Sequence, residues 1–302
     1  MNDLSARRDP MESLLSLLDL SDADGAQTDE DLYVGTSEPN PGSNRVFGGQ
    51  VLAQALIAAI RTVEPDRPVH SMHGYFLRPG DAREPITFGV QRLRDGRSFS
   101  ARRSHAYQDG APILSMIASF QTPDIGIEHQ DPMPMDVPDP ESVPSAAEVL
   151  GGLDHPVAQA WAFGRPFDIR HISSSIYLTV DGTHTAHQAV WIKTVGPMPA
   201  DQNLHRAALA YASDYTLLEP SLRRHGISWT TPGLSIASLD HAMWWHRPVR
   251  VDEWLLYVAE SPSASGARGL NTGRFFDREG NLVASVAQEG MIRIPEGTPG
   301  VS

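Results

Sequence analysis

Apolar residues follow two different spacings in the first half of the chain. Residues 47–63, FGGQVLAQALIAAIRTV, place apolar side chains at helical spacing with Arg61 as the only charge, which predicts a long buried helix. Four runs with strand-like alternation follow, separated by turn sequences such as Asp95-Gly96 and Asp109-Gly110. These runs are His70–Leu77, Ile86–Arg94, Ser98–Gln108 and Ile113–Gln121. Together they predict one long helix held by an antiparallel sheet.

The second half of the chain has the same order of patterns. Phe167–Ile172 and His187–Val195 are typical of strands, and Leu204–Leu218 has helical spacing. Three further strand-like runs extend to Ile292. The second half therefore also predicts a helix with an antiparallel sheet.

Two short sequence features recur at a constant distance between the halves. Arg78-Pro79 returns 169 residues later as Arg247-Pro248, and the Asp109-Gly110 turn returns 170 residues later as Glu279-Gly280. We therefore predict an α+β fold of two tandem units, each an antiparallel sheet wrapped around a long central helix. Two such units can cover each other's sheet edges, so they should pair into one pseudo-symmetric body.

The prolines divide the chain between these units. We predict a first unit at residues 1–122 that begins with a short helix at Met11–Leu20. Residues 123–164 are rich in proline and acidic residues, which is typical of an irregular crossover. The second unit then occupies residues 165–302.

One predicted strand carries unusual polar residues. We interpret Ser235–Arg247, SIASLDHAMWWHR, as a single continuous strand. Alternation then puts Ser238, Asp240 and Trp244 on one face, and His241 on the opposite face. A direct Asp240–His241 acid-base pair is therefore disfavoured, and we interpret His241 as a structural residue.

Two more polar residues occupy positions where the pattern calls for apolar ones. Asp214 falls on the apolar face of the predicted second helix, and Gln288 falls on the apolar face of the last strand. An unsatisfied buried polar group costs about 1 to 3 kcal/mol, so Asp214, Ser238 and Gln288 should hydrogen-bond to one another. From the residues alone, a packing network and a catalytic cluster are equally good interpretations.

The repeat favours the catalytic interpretation. At the corresponding offsets the first unit has Ala118 in place of Gln288 and Val69 in place of Ser238, and its helix contains no acidic residue. A network required only for folding should occur in both units. Its presence in one unit indicates a task that only the second unit performs.

Composition removes several classes of function. The chain has 302 residues, a formal net charge of -13 and no cysteine. The absence of cysteine excludes disulfides and thiolate chemistry, and the acidic balance disfavours nucleic-acid binding. We find no apolar run of the roughly 20 residues that cross a bilayer and no signal-peptide pattern, so we predict a cytoplasmic protein without stable membrane association.

Four common motifs of hydrolases, nucleotide-binding proteins and zinc proteases are absent from the sequence. It has no G-x-S-x-G, G-x-G-x-x-G, P-loop or H-E-x-x-H pattern. His184 and His187 lack a third ligand at suitable spacing, so we predict neither a metal nor a cofactor.

Several segments resemble one family, the acyl-CoA thioesterase II family, which has a double hotdog fold. The segments are RVFGGQVLAQAL, HSMHGYFLRPGD, AYASDYTLL, ASLDHAMWWHRP, DEWLLYVAESPSASGARG and LVASVAQEG. The family's triad of Asp, Thr or Ser, and Gln falls on Asp214, Ser238 and Gln288. The resemblance implies hydrolysis of fatty acyl-CoA to a fatty acid and CoA by an activated water, and it favours a homo-oligomer, a dimer or a tetramer.

Substrate contacts are expected from four further residues. Trp244 is a candidate for lining an acyl channel, and Arg268 for binding the phosphates of CoA. His73 and Arg78 are candidate ligand contacts, although a packed histidine and a solvated arginine are the simpler interpretations.

Two other functions are compatible with the sequence. One is a hotdog hydratase or dehydratase of acyl thioesters, which would use a histidine and a carboxylate as acid and base, although no histidine falls on the face of the second helix beside Asp214. The other is a non-catalytic acyl-CoA binding protein, in which the three polar groups only stabilise packing.

Overall fold

An antiparallel sheet that passes through both halves of the chain is the framework of the fold. The computed structural model describes residues 9–22, 29–38 and 43–294. Among these residues, thirteen strands belong to the sheet. The strands are β1 Ser21–Asp22, β2 Asp31–Gly35, β3 Val69–Phe76, β4 Ile86–Asp95, β5 Phe99–Gln108, β6 Ala111–Gln121, β7 Phe167–His171, β8 His187–Thr194, β9 Ser235–Ser238, β10 Asp240–Trp245, β11 Leu255–Ser265, β12 Arg268–Phe276 and β13 Leu282–Arg293.

Six α-helices accompany the sheet in the part of the chain that the structure describes. They are α1 Pro10–Leu18, α2 Gly48–Ile60, α3 Ala146–Leu150, α4 Pro156–Phe163, α5 Gln202–Ser213 and α6 Glu219–Arg224. The central helices α2 and α5 pack against each other on one face of the sheet, which we call the inner face. The opposite face is the outer face.

The strand order confirms the predicted α+β fold of two units. The first unit contributes β1-β2-β4-β5-β6-β3, and the second contributes β10-β13-β12-β11-β8-β7, with β9 paired to β13. The units join where β3 pairs antiparallel with β10, so that Met72 faces Met243. The join removes one exposed edge from each unit's sheet.

Helix α2 is buried on almost all sides, as its composition requires. No charged residue occurs in it, and eleven of its thirteen residues are buried. Its ends differ slightly from the predicted range of 47–63 because Phe47 is the N-cap and Arg61 the C-cap. An apolar helix of this kind gains stability from tertiary burial rather than from its own propensity.

Two of the predicted elements that carry the polar cluster extend beyond the observed ones. The helix predicted for Leu204–Leu218 ends at Ser213, and Asp214 is its C-cap residue. The strand predicted for Ser235–Arg247 is interrupted at Leu239, between β9 and β10. Both differences lie next to the predicted polar cluster and change its geometry.

The crossover contains more regular structure than its prolines indicate. It includes α3, which begins with a capping box formed by Ser145 and Glu148, as well as α4. Its loop packs on the second unit, where Trp191 Nε1 donates to the Pro138 carbonyl oxygen at 2.8 Å.

A buried polar cluster lies beside α6 in the second unit. The Glu219 carboxylate contacts His171 Nε2 at 2.9 Å and accepts a hydrogen bond from Trp229 Nε1 at 3.0 Å. Glu219 is fully buried and His171 nearly so. We call these three residues the Glu219 cluster.

Across the described ranges, none of the helices has the length and apolar character that a membrane crossing requires.

Candidate active site

The predicted polar cluster forms where the ends of the two central helices meet. Asp214 caps the C-terminus of α5, and its side chain reaches the N-terminus of α2. The Gly49 backbone N–H, one of the free donors in the first turn of α2, donates to Asp214 Oδ2 at 2.9 Å. The positive end of the α2 dipole therefore stabilises the carboxylate, whereas the C-terminus of its own helix does not.

Two glycines permit this approach of the helices. A Cβ added to Gly48 would lie 2.7 Å from Asp214 Oδ2. A Cβ added to Gly49 would overlap the Tyr211 carbonyl oxygen on α5 and the Phe47 ring. A side chain at Gly49 would therefore separate the two helices, and one at Gly48 would displace the Asp214 carboxylate.

Ser238 and Gln288 complete the hydrogen-bonded group around Asp214. Ser238 Oγ donates to Asp214 Oδ1 at 3.1 Å. Gln288 Nε2 donates to Asp214 Oδ1 at 3.0 Å and to Ser238 Oγ at 2.8 Å. The structure thus brings the three predicted side chains into mutual contact, although they come from α5, β9 and β13.

The environment of Asp214 changes its acidity. Burial raises the pKa of this carboxyl from its ordinary value of 3.8 to about 6, and the hydrogen bonds from Gln288, Ser238 and Gly49 oppose that rise. A carboxylate with such a pKa is ionised at neutral pH and is still basic enough to accept a proton. This combination is typical of a general base.

The break at Leu239 corrects the predicted faces of the strand. Asp240 Oδ1 accepts the Glu289 backbone N–H at 2.7 Å, so a side chain replaces a sheet hydrogen bond at the break. The alternation shifts by one residue, and His241 therefore shares the inner face with Ser238. Trp244 lies on the outer face, not on the face of Ser238 as the continuous strand predicted.

His241, interpreted from the sequence as a structural residue, is buried and hydrogen-bonds to the Asp214 group through Gln288. Its Nδ1 hydrogen-bonds Gln288 Oε1, and its Nε2 lies 3.0 Å from Ser213 Oγ. Burial lowers the pKa of the imidazole to about 4, so the ring is neutral at physiological pH. The sequence does contain an indication of this polar contact, because the first unit has the apolar residue Met72 at the position of His241.

The four predicted substrate residues lie outside this group. His73 and Trp244 are in contact on the outer face, with their ring centroids 5.0 Å apart. Arg78 is exposed and donates to the Pro112 carbonyl oxygen at 2.8 Å. Arg268 pairs with Glu289 at 3.0 Å, next in sequence to Gln288.

The two repeated units and their shared sheet define a protein of the double hotdog class. Two family models match the chain in the same two units. The acyl-CoA thioesterase model matches residues 165–291, and the acyl-CoA thioesterase N-terminal domain model matches residues 36–121.

Named relatives agree with these matches over nearly the whole chain. Acyl-CoA thioesterase 2 of Haemophilus influenzae is 38% identical over 293 residues, which cover 95% of this chain and 99% of that protein. Human acyl-coenzyme A thioesterase 8 is 37% identical over 300 residues, covering 95% and 92%. The crystal structure of an acyl-CoA thioesterase II, TesB2, from Mycobacterium marinum has a TM-score of 0.73 and 42% identity, covering 94% and 98%.

The chain therefore belongs to the acyl-CoA thioesterase family and is an enzyme of the thioester hydrolase class. The family resemblance drawn from the sequence motifs is confirmed.

Proposed function

We propose that this enzyme hydrolyses fatty acyl-CoA to a free fatty acid and CoA with a water molecule that Asp214 activates. The observation that carries the proposal is the closed hydrogen-bonded group of Asp214, Ser238 and Gln288. These residues come from three separate elements, and they have apolar or non-acidic counterparts in the first unit. A group maintained in one unit alone fits a catalytic task better than a packing task.

In the proposed reaction the water molecule is the nucleophile. Asp214 accepts a proton from the water while the water oxygen attacks the thioester carbonyl carbon. The tetrahedral intermediate then collapses, the carbon–sulfur bond breaks, and the proton on Asp214 passes to the leaving thiolate. Ser238 and Gln288 orient the water through their hydrogen bonds, and no covalent acyl-enzyme forms.

The acidity of Asp214 suits this role. Its pKa of about 6 leaves most of the carboxylate ionised at pH 7.5. An ordinary aspartate, with a pKa near 3.8, would be a weaker base by about two pKa units. The thiolate is a good leaving group, so the reaction does not require a strong general acid in addition.

Aromatic side chains next to Asp214 offer an apolar surface for the acyl chain. Tyr215 stacks on Phe47 with a centroid distance of 4.9 Å, and Tyr211 contacts the same ring at 5.1 Å. Arg268 lies on the strand next to Gln288's strand, where it pairs with Met291, the residue after the partner of Ser238. We propose Arg268 as a contact for the CoA phosphates.

The other expected substrate contacts and the expected assembly remain predictions. His73, Arg78 and Trp244 are still candidate substrate contacts. The exposed apolar side chains Tyr75 and Ile117, 64% and 48% exposed on the outer face, are compatible with the predicted homo-oligomer. Sedimentation of the purified protein tests that state, and fractionation of cells tests the predicted cytoplasmic location.

The position of His241 disfavours a hydratase or dehydratase. That chemistry would require a histidine that faces the substrate beside Asp214. Both ring nitrogens of His241 have partners within the protein, and Gln288 lies between the ring and Asp214. The imidazole is therefore not available to a substrate.

Release of free CoA from acyl-CoA substrates of several chain lengths tests the proposal. Asp214→Ala, Ser238→Ala and Gln288→Ala should each lower kcat/KM, the first by about 1000-fold or more, because it removes the base. Ser285→Ala is the matched control, since that hydroxyl lies in the same strand as Gln288 and contacts His246 instead. Near-normal turnover by all three folded variants would reject the site.

A further inference from the structure

A line of hydrogen bonds continues from the Asp214 group into the protein core. Gln288 Oε1 contacts His241 Nδ1, and His241 Nε2 lies 3.0 Å from Ser213 Oγ. Ser213 is fully buried, and His241 is 1% exposed. Both residues are too deep to touch a substrate, and the side chain of His241 reaches the Asp214 group through Gln288.

The donors and acceptors along this line can be assigned in one direction only. Gln288 Nε2 donates to Asp214 and Ser238, so its Oε1 is the atom that faces His241, and Nδ1 must carry a proton. Because burial keeps the imidazole neutral, Nε2 is unprotonated and can only accept, so the Ser213 hydroxyl proton is shared between His241 Nε2 at 3.0 Å and the Ala210 carbonyl oxygen at 2.9 Å. From His241 Nδ1–H onward, the donors therefore point towards the Asp214 carboxylate.

His241 shows the same difference between the units as the catalytic group. In the first unit Met72 pairs with Ala118, and the next residue, His73, pairs with Ile117. In the second unit Ala242 pairs with Ala287, which aligns His241 and Gln288 with Met72 and Ala118. The first unit folds with apolar residues at both positions, so this type of packing does not require a histidine.

We propose that His241, oriented by Ser213, is a positioning residue that fixes the carboxamide of Gln288 for hydrolysis. The proposal rests on the proposed function of the Asp214 group. If the carboxamide turned over, Gln288 Oε1 would face the Asp214 carboxylate, and both hydrogen bonds donated by Nε2 would be lost. His241 prevents this rotation because its Nδ1–H can be satisfied only by the oxygen.

The test compares three substitutions on β10. His241→Met introduces the residue of the first unit and removes the donor. His241→Asn restores it, because the asparagine amide nitrogen can occupy the position of Nδ1. Trp245→Phe is the control, since Trp245 is a buried aromatic residue on the same strand whose Nε1 has no hydrogen-bond partner among the described residues.

Two readouts distinguish positioning from a structural role. For His241→Met we expect kcat to fall about 10- to 100-fold with a small change in KM, because the loss concerns the oriented water rather than substrate binding. The acid limb of the kcat/KM profile should move to higher pH, because a turned amide no longer stabilises ionised Asp214. His241→Asn should recover both values, and Trp245→Phe should match the wild type.

The titratable groups that face this line are Asp214, beyond Gln288, and Tyr257, whose hydroxyl donates to the Ser213 carbonyl oxygen at 3.1 Å. Burial raises the pKa of Tyr257 well above its ordinary value, so this tyrosine does not titrate between pH 5 and 8. A shift of the acid limb therefore reports on Asp214.

A folded His241→Met variant with kcat within twofold of the wild type and an unmoved acid limb would overturn the proposal. If that variant does not fold, Ser213→Ala decides. We expect its kcat to fall about 3- to 10-fold, and an unchanged kcat would count against the positioning role of His241. Asp214→Ala is measured in parallel. If Asp214→Ala is inactive and His241→Met has normal activity, only the positioning role of His241 is rejected. If Asp214→Ala is active, the proposed function itself is rejected.

Discussion

Replacing Asp214 by asparagine should change how the stability of the folded protein depends on pH. Burial raises the pKa of Asp214 from 3.8 to about 6, so between these values the folded protein holds a proton that the unfolded chain has released. The wild type must therefore lose stability as the pH rises through this window. Asparagine cannot titrate, so the variant lacks this loss.

The size of the effect follows from the two pKa values. With pKa values of 3.8 and about 6, the wild type should lose about 3 kcal/mol in total relative to the variant, of which about 1.4 kcal/mol falls between pH 5 and pH 7.5. The asparagine NH2 must face either Gly49 N–H or the Gln288 and Ser238 donors, which lowers stability at every pH. The change with pH, rather than the absolute stability, is thus the diagnostic quantity.

Urea unfolding of both proteins at several pH values between 5 and 7.5 measures this difference. Ser238→Ala is the control, because it keeps the Asp214 carboxylate. Its free energy of unfolding should change with pH at least as strongly as that of the wild type. As the pH rises from 5 to 7.5, the difference in free energy of unfolding between Asp214→Asn and the wild type should change by about 1.4 kcal/mol in the variant's favour. Parallel curves would refute the assignment of a raised pKa to Asp214.

Two further substitutions test the framework around the site. Gly49→Ala should lower kcat by about 100-fold, because its Cβ would push the Tyr211 carbonyl oxygen away and shift Asp214, while Gly126→Ala, with open space around it, should not. CoA release assays check both, and equal rates would contradict the close approach. Glu219→Ala should cost about 3 to 5 kcal/mol of unfolding free energy, because it leaves the partners of the Glu219 cluster buried and unpaired. Arg92→Gln, which breaks an exposed ion pair, should cost under about 1 kcal/mol, and similar costs in urea titrations would be inconsistent with this account.

The repeat and the inward polar residues could be predicted because they follow from periodicity. Gln288 and Asp214 interrupt apolar faces, and a polar group that is turned inward must find partners. The constant offset between the units also identified Val69 and Ala118 as the counterparts of Ser238 and Gln288. These relations require only the spacing of side chains along helices and strands.

The geometry at Leu239 could not be predicted in the same way. Alternation assumes an unbroken strand, whereas here the Asp240 carboxylate replaces a sheet hydrogen bond and shifts the faces by one residue. That shift is the reason why His241 reaches Gln288 and why Trp244 turns to the outer face. Side-chain to backbone hydrogen bonds of this kind depend on tertiary contacts that no periodic pattern contains.

The close approach of the two central helices also could not be predicted from the spacing of residues in the sequence. The helical spacing continued past Asp214, so the end of α5 at Ser213 was not expected. Gly48-Gly49 falls within the helix predicted over residues 47–63, but its contact with the other helix depends on the crossing of α2 and α5. Only the folded arrangement explains why both positions are glycine.

The most direct test of Asp214 as the general base is the pH dependence of kcat/KM for CoA release, measured in the wild type and in Asp214→Asn. We predict that the wild-type rate rises with pH along an acid limb centred near pH 6, the value to which burial raises the pKa of Asp214, and that any residual rate of the variant lacks this limb. A wild-type profile that is flat between pH 5 and 8, or a limb that persists unchanged in Asp214→Asn, would show that some other group takes the proton from water.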